Sequence, residues 1–128
     1  MAKGHRSKIK RERYAVKDTR PSAKLSYARV SVQKACFVFD AIRGKDVTTA
    51  LAIVTYNPRY ASTLIEKLIK SAIANAENNN GMKAENLYVE ECYAGSAPIM
   101  KRVKPRAQGR AYRIEKRMSN ITIVLNER

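Results

Sequence analysis

Apolar residues recur at helical intervals in three successive segments of the first two-thirds of the chain. These segments lie between Ser31 and Gly44, between Asp46 and Tyr56, and from Asn57 to about Asn78. Spacing of i, i+3, i+4 and i+7 within each segment predicts an amphipathic helix with one buried face. Ser31 and Asp46 are favourable N-caps, and Gly44 is expected to end the first helix. The Asn57-Pro58 pair predicts an N-cap followed by proline in the first helical turn. The third helix is predicted to serve the core, with no ligand role.

Segments with strand-like character precede and follow these helices. Residues 23–30 alternate weakly, with Leu25, Tyr27 and Arg29 predicted on one side of the strand. Residues 87–93 and 121–125 are predicted to be the two ends of one long hairpin. Because residues 121–125 are almost continuously apolar, we expect that strand in the centre of the sheet.

The segment that joins those two strands, about residues 95–117, is predicted to protrude from the body as a β-hairpin. A turn near residues 104–106 would leave about twelve residues on each side, or roughly 40 Å of arm at about 3.4 Å per residue. Pro98 and Pro105 each remove a backbone donor, so we expect the ladder to be frayed or edge-like near them. Gly109 offers a permissive backbone close to the turn.

The formal net charge is +15, and it is distributed very unevenly along the chain. Lys and Arg outnumber Asp and Glu by six in residues 1–20 and by seven in residues 95–117, but by only two in residues 21–94. Clustered cations of this kind gain binding free energy by releasing the counterions condensed on a polyanion. A solvated face that aids solubility is the alternative, although such faces usually mix both signs. The charge pattern therefore predicts a nucleic-acid-binding protein.

The length of 128 residues predicts one domain, residues 21–128, with one modest core. Residues 1–20 are polar, basic and aperiodic, which predicts a flexible N-terminal arm that orders only on a partner. A nuclear-import-like signal is an open alternative for this run. No apolar run approaches the ~20 residues that span a bilayer, and the first residues lack the apolar region of a secretory signal.

Residues that catalysis or metal binding would need are scarce. His5 is the only histidine, and the two cysteines, Cys36 and Cys92, are expected to be buried, reduced thiols. The glycines are isolated, so none forms a phosphate-binding loop. Glu90 and Glu91 should point to opposite faces of a strand, solvated or paired with a neighbouring Lys or Arg. We therefore expect no enzyme, and no metal, cofactor or small-molecule substrate.

The chemistry that is present suits nucleic acid. Arginine's planar guanidinium matches phosphate and stacks on bases, and alternation along the hairpin places cations on both faces. The small residues Ala107, Gly109 and Ala111 would let a partner approach the backbone closely. Tyr112 is equally suited to stack on a base and to pack against its cross-strand neighbour.

The stretch MKRVKPRAQGRAYRIEKRMSNITIVL closely resembles the C-terminal hairpin of the large-subunit ribosomal protein twenty-two family. Two further blocks match that family in order and spacing: Lys34 followed by the Ile42-Arg43-Gly44-Lys45 run, and the SAIANAEN run at residues 71–78. The resemblance covers roughly residues 22–127.

The resemblance implies an α+β fold, with three helices packed on a small antiparallel sheet and a long protruding basic β-hairpin. It implies a structural constituent of the large ribosomal subunit that binds large-subunit ribosomal RNA and braces its domains during assembly. The hairpin tip would line the nascent-peptide exit tunnel. The implied partners are that RNA, neighbouring large-subunit ribosomal proteins and, transiently, the nascent peptide, with no membrane partner. The implied location is the cytoplasmic ribosome, and an organellar ribosome stays open.

The family match also implies which residues meet RNA and the tunnel. The body candidates for RNA binding are Lys24, Arg29, Lys34, Arg43 and Lys45. The arm candidates for RNA binding are Lys101, Arg102, Lys104, Arg106, Arg110, Arg113, Lys116 and Arg117. The implied tunnel-lining tip consists of Met100, Lys101, Arg102, Val103, Lys104, Pro105, Arg106, Ala107, Gln108, Gly109 and Arg110.

The chain departs from the family pattern at three places. Cys36 stands where the family usually has an arginine. Residues 95–97 replace an acidic pair and a glycine, which makes the base of the arm less acidic. Asn120 replaces a histidine, an exchange that keeps hydrogen bonding but loses titration. Two other functions are alternatives: an architectural DNA-binding protein with a β-arm in the minor groove, which would usually present paired arms from a dimer, and a nucleic-acid enzyme, for which the residues to do chemistry are lacking.

Overall fold

The computed structural model describes Lys10 and residues 18–128. The elements along this part of the chain are β1 Ser22–Ala28, α1 Val32–Ile42, α2 Val47–Tyr56, α3 Tyr60–Asn80, a 3-10 turn Ala84–Asn86, β2 Leu87–Pro105 and β3 Ala111–Glu127. Within these residues, three α-helices and a three-stranded antiparallel sheet give an α+β fold, which confirms the prediction. The predicted flexible arm, residues 1–20, lies outside the described residues except at Lys10 and positions 18–20.

The limits of α1 and α2 agree with those predicted. Ser31 and Asp46 occupy their N-cap positions, although within the described residues neither side chain makes a capping hydrogen bond. The predicted start of α3 is wrong, because its N-cap is Arg59 and not Asn57. Asn57 instead ends α2, and its Oδ1 accepts a hydrogen bond from the Arg59 N–H at 3.1 Å. The helix ends at Gly81, whose φ of 65° is easily adopted by glycine.

The strand order is β1-β3-β2, so the apolar β3 lies in the centre of the sheet, as predicted. The alternation predicted for residues 23–30 is wrong in its second half. Leu25 is half-buried on the inner side, but Tyr27 has a φ of 56° and turns outward, so that Ala28 takes the next buried position. The Tyr27 N–H donates to Asn120 Oδ1 at 3.0 Å, which stabilises this irregularity.

The core lies where the helices pack on the body half of the sheet. α3 packs against β1 and β3, and α1 packs against β2 and both other helices. The largest fully buried side chains include Phe39, Ile65, Ile69, Ile121 and Leu125. Burial of each such side chain contributes about 1.5–3 kcal/mol relative to exposure. The core therefore fixes the inner ends of β2 and β3, from which the hairpin projects.

β2 and β3 continue as a paired ribbon well beyond the core. Their pairing extends to Pro105 opposite Ala111. The predicted turn at residues 104–106 is therefore wrong, because the chain turns at residues 106–110. Gly109 has a φ of 66° there, so the permissive backbone expected near the turn is used.

The ladder is interrupted at Pro98 and ends at Pro105, as expected of residues that lack a backbone donor. Pro98 lies at a shift of register between Ala97 and Met100, and Pro105 belongs to the last pair before the turn. A register shift tolerates a residue that lacks an N–H donor, as does the end of a ladder. We call residues 98–117 the arm. The eight residues from Pro98 to Pro105 project roughly 27 Å at about 3.4 Å per residue.

Both cysteines are unbridged thiols. Cys92 is buried as expected, whereas Cys36 is only half-buried. Burial raises the pKa of the Cys92 thiol, against a smaller opposing effect of the nearby Arg43 guanidinium, so this thiol is protonated at neutral pH. None of the described helices is long and apolar enough to cross a bilayer.

Candidate nucleic-acid interface

The arm presents its charge to solvent. Every residue from 101 to 117 is exposed, including all eight arm cations. In the part of the chain that the structure describes, Arg117 is the arm cation paired with a carboxylate, with its Nη2 3.1 Å from Glu115 Oε2. The other seven make no ion pair there, so their charge is available to an anionic partner.

The strand register distributes these cations over both faces of the arm. Residues directly opposite each other in an antiparallel pair point to the same face, and successive residues point to opposite faces. One face, which we call the three-cation face, carries Arg102, Lys104 and Lys116. The opposite face carries Lys101 and Arg113 as unpaired cations, beside the ion pair of Arg117 with Glu115, and we call it the two-cation face. A partner on either side of the ribbon would therefore meet positive charge, as the alternation in the sequence predicted.

The tip is a short loop that is closed by its own backbone. The Arg106 N–H donates to the Arg110 carbonyl at 2.8 Å, and Gln108 has a φ of 60°. Arg106, Gln108, Arg110 and Tyr112 surround an open hollow at this end of the arm. Tyr112 lies opposite Lys104 and is 54% exposed, so its ring is accessible for stacking.

A second group of cations meets at the base of the arm. Arg29, Lys34 and Arg117, three of the predicted RNA-binding residues, line one cleft of about 560 Å³. This basal cleft lies between the starts of α1 and α3 and the lower part of β3. Among the described residues that line it, Glu115 is the acidic one. Sequence reasoning missed Arg59, which lines the same cleft. The signal that could have found it is a cation in the first turn of the helix predicted from Asn57, where positive charge is unfavourable to the helix dipole.

Arg59 is held over an aromatic ring at the edge of the basal cleft. Its guanidinium carbon lies 4.4 Å from the centroid of the Phe37 ring, a cation–π contact. Phe37 is 67% exposed on α1, where it also lines a shallower hollow with Gln33 and Asp40. The exposed ring thus has a structural use, because it fixes the direction of the Arg59 side chain.

The remaining body candidates do not line the basal cleft. Lys24 lies exposed on β1, and Lys45 lies exposed between α1 and α2. Arg43 donates to Asp40 Oδ1 at 3.2 Å and to the Cys92 carbonyl at 3.1 Å. Part of its hydrogen-bonding capacity is therefore already used within the protein.

Glu90 and Glu91 bind the same guanidinium. Arg20 Nη1 lies 2.9 Å from Glu90 Oε2 and 3.0 Å from Glu91 Oε1. The predicted pairing with a cation is confirmed, but the expected opposite faces are wrong, because a register shift between Val89 and Glu91 lets both carboxylates reach one side. Hydrogen bonds from Arg20 also lower the pKa of the Asp18 carboxyl to about 2. This cluster, which we call the Arg20 cluster, attaches the start of the described chain to the strand that continues into the arm.

The next feature is the arrangement of possible metal ligands in the described residues. Across residues 18–128, no group of three or more His, Cys, Asp or Glu side chains is arranged to hold a metal ion. The surface offers guanidinium and ammonium groups instead, the side chains that bind phosphate.

Comparison with known proteins shows the family to which the chain belongs. The sequence model of the family described as ribosomal protein L22p/L17e matches residues 23–126. The chain belongs to this family. It is a family of ribosomal structural proteins and not of enzymes.

Individual relatives match over their whole length. The large ribosomal subunit protein uL22 of Lachnoclostridium phytofermentans is 83% identical over 128 residues, which is 100% of both chains. Proteins of the same name from Lachnospira eligens and Agathobacter rectalis are 81% and 79% identical, again over 100% of each chain.

The structure shows what occupies the positions where this member of the L22p/L17e family departs from the usual pattern. Cys36 is half-buried on α1, beside the hollow that Phe37 lines. Ala97 is buried at the base of the arm. Asn120 keeps a hydrogen bond, since its Oδ1 accepts the Tyr27 N–H. The expected retention of hydrogen bonding at position 120 is therefore confirmed, with an acceptor that does not titrate.

Proposed function

We propose that the chain is a structural constituent of the large ribosomal subunit that binds ribosomal RNA and braces its domains during assembly. Full-length relatives at 79–83% identity carry the name large ribosomal subunit protein, which supports the assignment to that subunit. The observation that carries RNA binding is the arm, which is exposed from residue 101 to 117 and has cations on both faces.

The geometry of the arm suits a position between two RNA segments. Neighbouring RNA segments repel each other through their phosphates, and cations on both faces of the arm offset that repulsion while releasing counterions. A two-stranded ribbon is at best marginally stable alone in water. RNA on both sides would supply the stabilisation that core packing gives to the body. The body, held by its own core, sets the direction in which the arm leaves.

We infer that the tip, residues 100–110, lines the nascent-peptide exit tunnel and touches the passing peptide transiently. The tip is the part of the described chain farthest along the arm from the core, and its loop is closed by the hydrogen bond between Arg106 and Arg110. Small residues such as Ala107 and Gly109 keep its profile narrow. The exposed body surface is available to neighbouring large-subunit proteins.

The proposed RNA-binding residues are those named from the sequence, together with Arg59. The proposed location is the cytoplasmic ribosome of a bacterium, because the full-length relatives at 79–83% identity are bacterial proteins. No cofactor, membrane or small-molecule substrate is part of this function.

Sedimentation tests the proposal directly. In a sucrose gradient of cell lysate at moderate magnesium, the protein should co-sediment with large subunits, and treatment with ribonuclease should release it. Protein at the top of the gradient, or protein released by deoxyribonuclease instead, would contradict the assignment. The second outcome would favour an architectural DNA-binding protein.

A further inference from the structure

We propose that the basal cleft is a discrete site for the phosphodiester backbone of one RNA segment, at the junction of arm and body. The proposal rests on the proposed RNA-binding function and adds to it a defined site and the residues that hold the ligand. Four cations from separate parts of the fold surround one cavity of about 560 Å³ at this place.

The four cations belong to four different segments of the chain. Arg29 follows β1, Lys34 lies in the first turn of α1, Arg59 precedes α3, and Arg117 lies in β3. Within residues 18–128, the first three make no ion pair, and Arg117 shares the carboxylate of Glu115. Like charges that converge on one cavity repel each other, so this arrangement is stabilised when an anion enters.

Two of the guanidinium groups are oriented by contacts that leave their donors available. Arg59 lies over the face of Phe37, at 4.4 Å from the ring centroid. Arg29 Nη1 lies 3.9 Å from Met100 Sδ, a weak acceptor at the start of the arm. Since neither contact is with a carboxylate, both groups can offer paired N–H donors to phosphate oxygens. Side chains that are already oriented lose less conformational entropy when the ligand binds.

The starts of two helices reinforce the cationic site. Ser31 and Arg59 are the N-caps of α1 and α3, and in the described chain neither side chain makes a capping hydrogen bond. The N–H groups of both first turns, with the partial positive charge of each helix N-terminus, therefore add to the field of the cations. Tyr60 and Ala61 contribute apolar surface to the same cleft. Cations, backbone donors and apolar surface together match a sugar–phosphate chain better than a small carboxylate.

Occupation of the basal cleft would set the angle between arm and helices. Arg117 belongs to the strand that continues into the arm, whereas Lys34 and Arg59 belong to the helical layer. An RNA phosphate bound by Arg117, Lys34 and Arg59 together would connect the arm strand to the helical layer. The expected consequence is that the cleft orients the arm before the tip reaches its own partner.

Phosphate interference with the full-length chain tests the site. Large-subunit ribosomal RNA is ethylated sparsely at its phosphates, and the positions that weaken binding are mapped for the wild type and for Arg29→Ala/Arg59→Ala. The matched control is Lys67→Ala/Lys83→Ala, which also removes two exposed cations, from the middle of α3 and from the segment after it. We expect the cleft variant to lose one or two adjacent interference positions and about 2 units of the log–log salt slope, at roughly one unit per cation. The control should keep every position.

The possible outcomes separate the claims. A uniform weakening without loss of specific positions, or the same loss in the control, would overturn a discrete cleft site. A wild type that binds the RNA with no interference positions at all would also overturn the cleft site, whereas a wild type that does not bind the RNA would contradict the proposed function itself. Lys34→Ala/Arg117→Ala provides a second cleft variant if the first fails to fold. Titration with inorganic phosphate distinguishes the source of the anion, because saturation of cleft amides by free phosphate without RNA interference would show an anion site unrelated to RNA.

Discussion

Neutralising the two faces of the arm separately tests whether RNA surrounds it. One variant replaces the three-cation face, Arg102, Lys104 and Lys116, with glutamine, and the other replaces the two-cation face, Lys101 and Arg113. All five side chains are exposed, and none of them forms an ion pair within the described chain. Neither variant should therefore disturb the fold, which thermal unfolding would verify.

The expected magnitude follows from the number of charges removed. Each cation that neutralises a phosphate contributes about 0.7–0.9 to the slope of log affinity against log salt concentration. With six to eight phosphate contacts on the whole arm, the wild-type slope should be roughly −4 to −7. Neutralising the three-cation face should reduce the magnitude of this slope by about 2–3, and neutralising the two-cation face should reduce it by about 1.5–2.

Filter retention of large-subunit ribosomal RNA between about 50 and 400 mM KCl measures these slopes. If RNA encloses the arm, both variants lose slope roughly in proportion to the charges removed. A wild-type slope in one of the two variants would show that RNA lies along one side only, and the bracing geometry would be refuted. Wild-type affinity that hardly changes with salt would refute the larger claim that phosphate contacts dominate.

Three further changes test other parts of the molecule. Ile69 is fully buried in α3, so Ile69→Ala should lower the free energy of unfolding in urea by about 2–5 kcal/mol, and a loss below about 1 kcal/mol would contradict the assigned core. Replacing Arg106 and Arg110 with alanine should leave the body folded but weaken RNA protection around the tip, and an unchanged footprint would count against the tip assignment. Arg20 lowers the pKa of Asp18 from 3.8 to about 2, so their pairing stabilises the fold above pH 4 and is lost as the pH falls from about 4 to 2. Thermal unfolding of Asp18→Asn should lack this part of the acid dependence, and an acid profile equal to the wild type would exclude the linkage.

Helix limits could be predicted where the signals for them are local. Ser31 and Gly44 directly flank the apolar face that they delimit in α1, and both positions agree with the structure. Asn57 is different, because the same residue can end one helix or begin the next. The packing of α2 against α3 decides between these roles, and the structure uses Asn57 to end α2.

Positions that depend on register or on packing between elements were beyond local reasoning. The turn lies at residues 106–110 and not at 104–106, because the register of β2 against β3 is set by the pairs in the core and continues along the arm to Pro105 opposite Ala111. Glu90 and Glu91 reach one guanidinium only because the ladder is irregular between them and Val89. Charge along the chain identified the arm, but the convergence of cations in the basal cleft depends on how α1, α3 and β3 meet.

The central position of β3 has a consequence for how each new copy matures. Synthesis proceeds from the N-terminus, so β1, the three helices and β2 are all made before the strand with which both β1 and β2 pair. Closing these long-range pairings is a late, non-local step. A partly synthesised chain can form its helices and expose half of its basic ribbon, but the ribbon and the sheet are completed together when β3 arrives. An RNA partner that requires the paired ribbon would therefore bind finished copies and not incomplete ones.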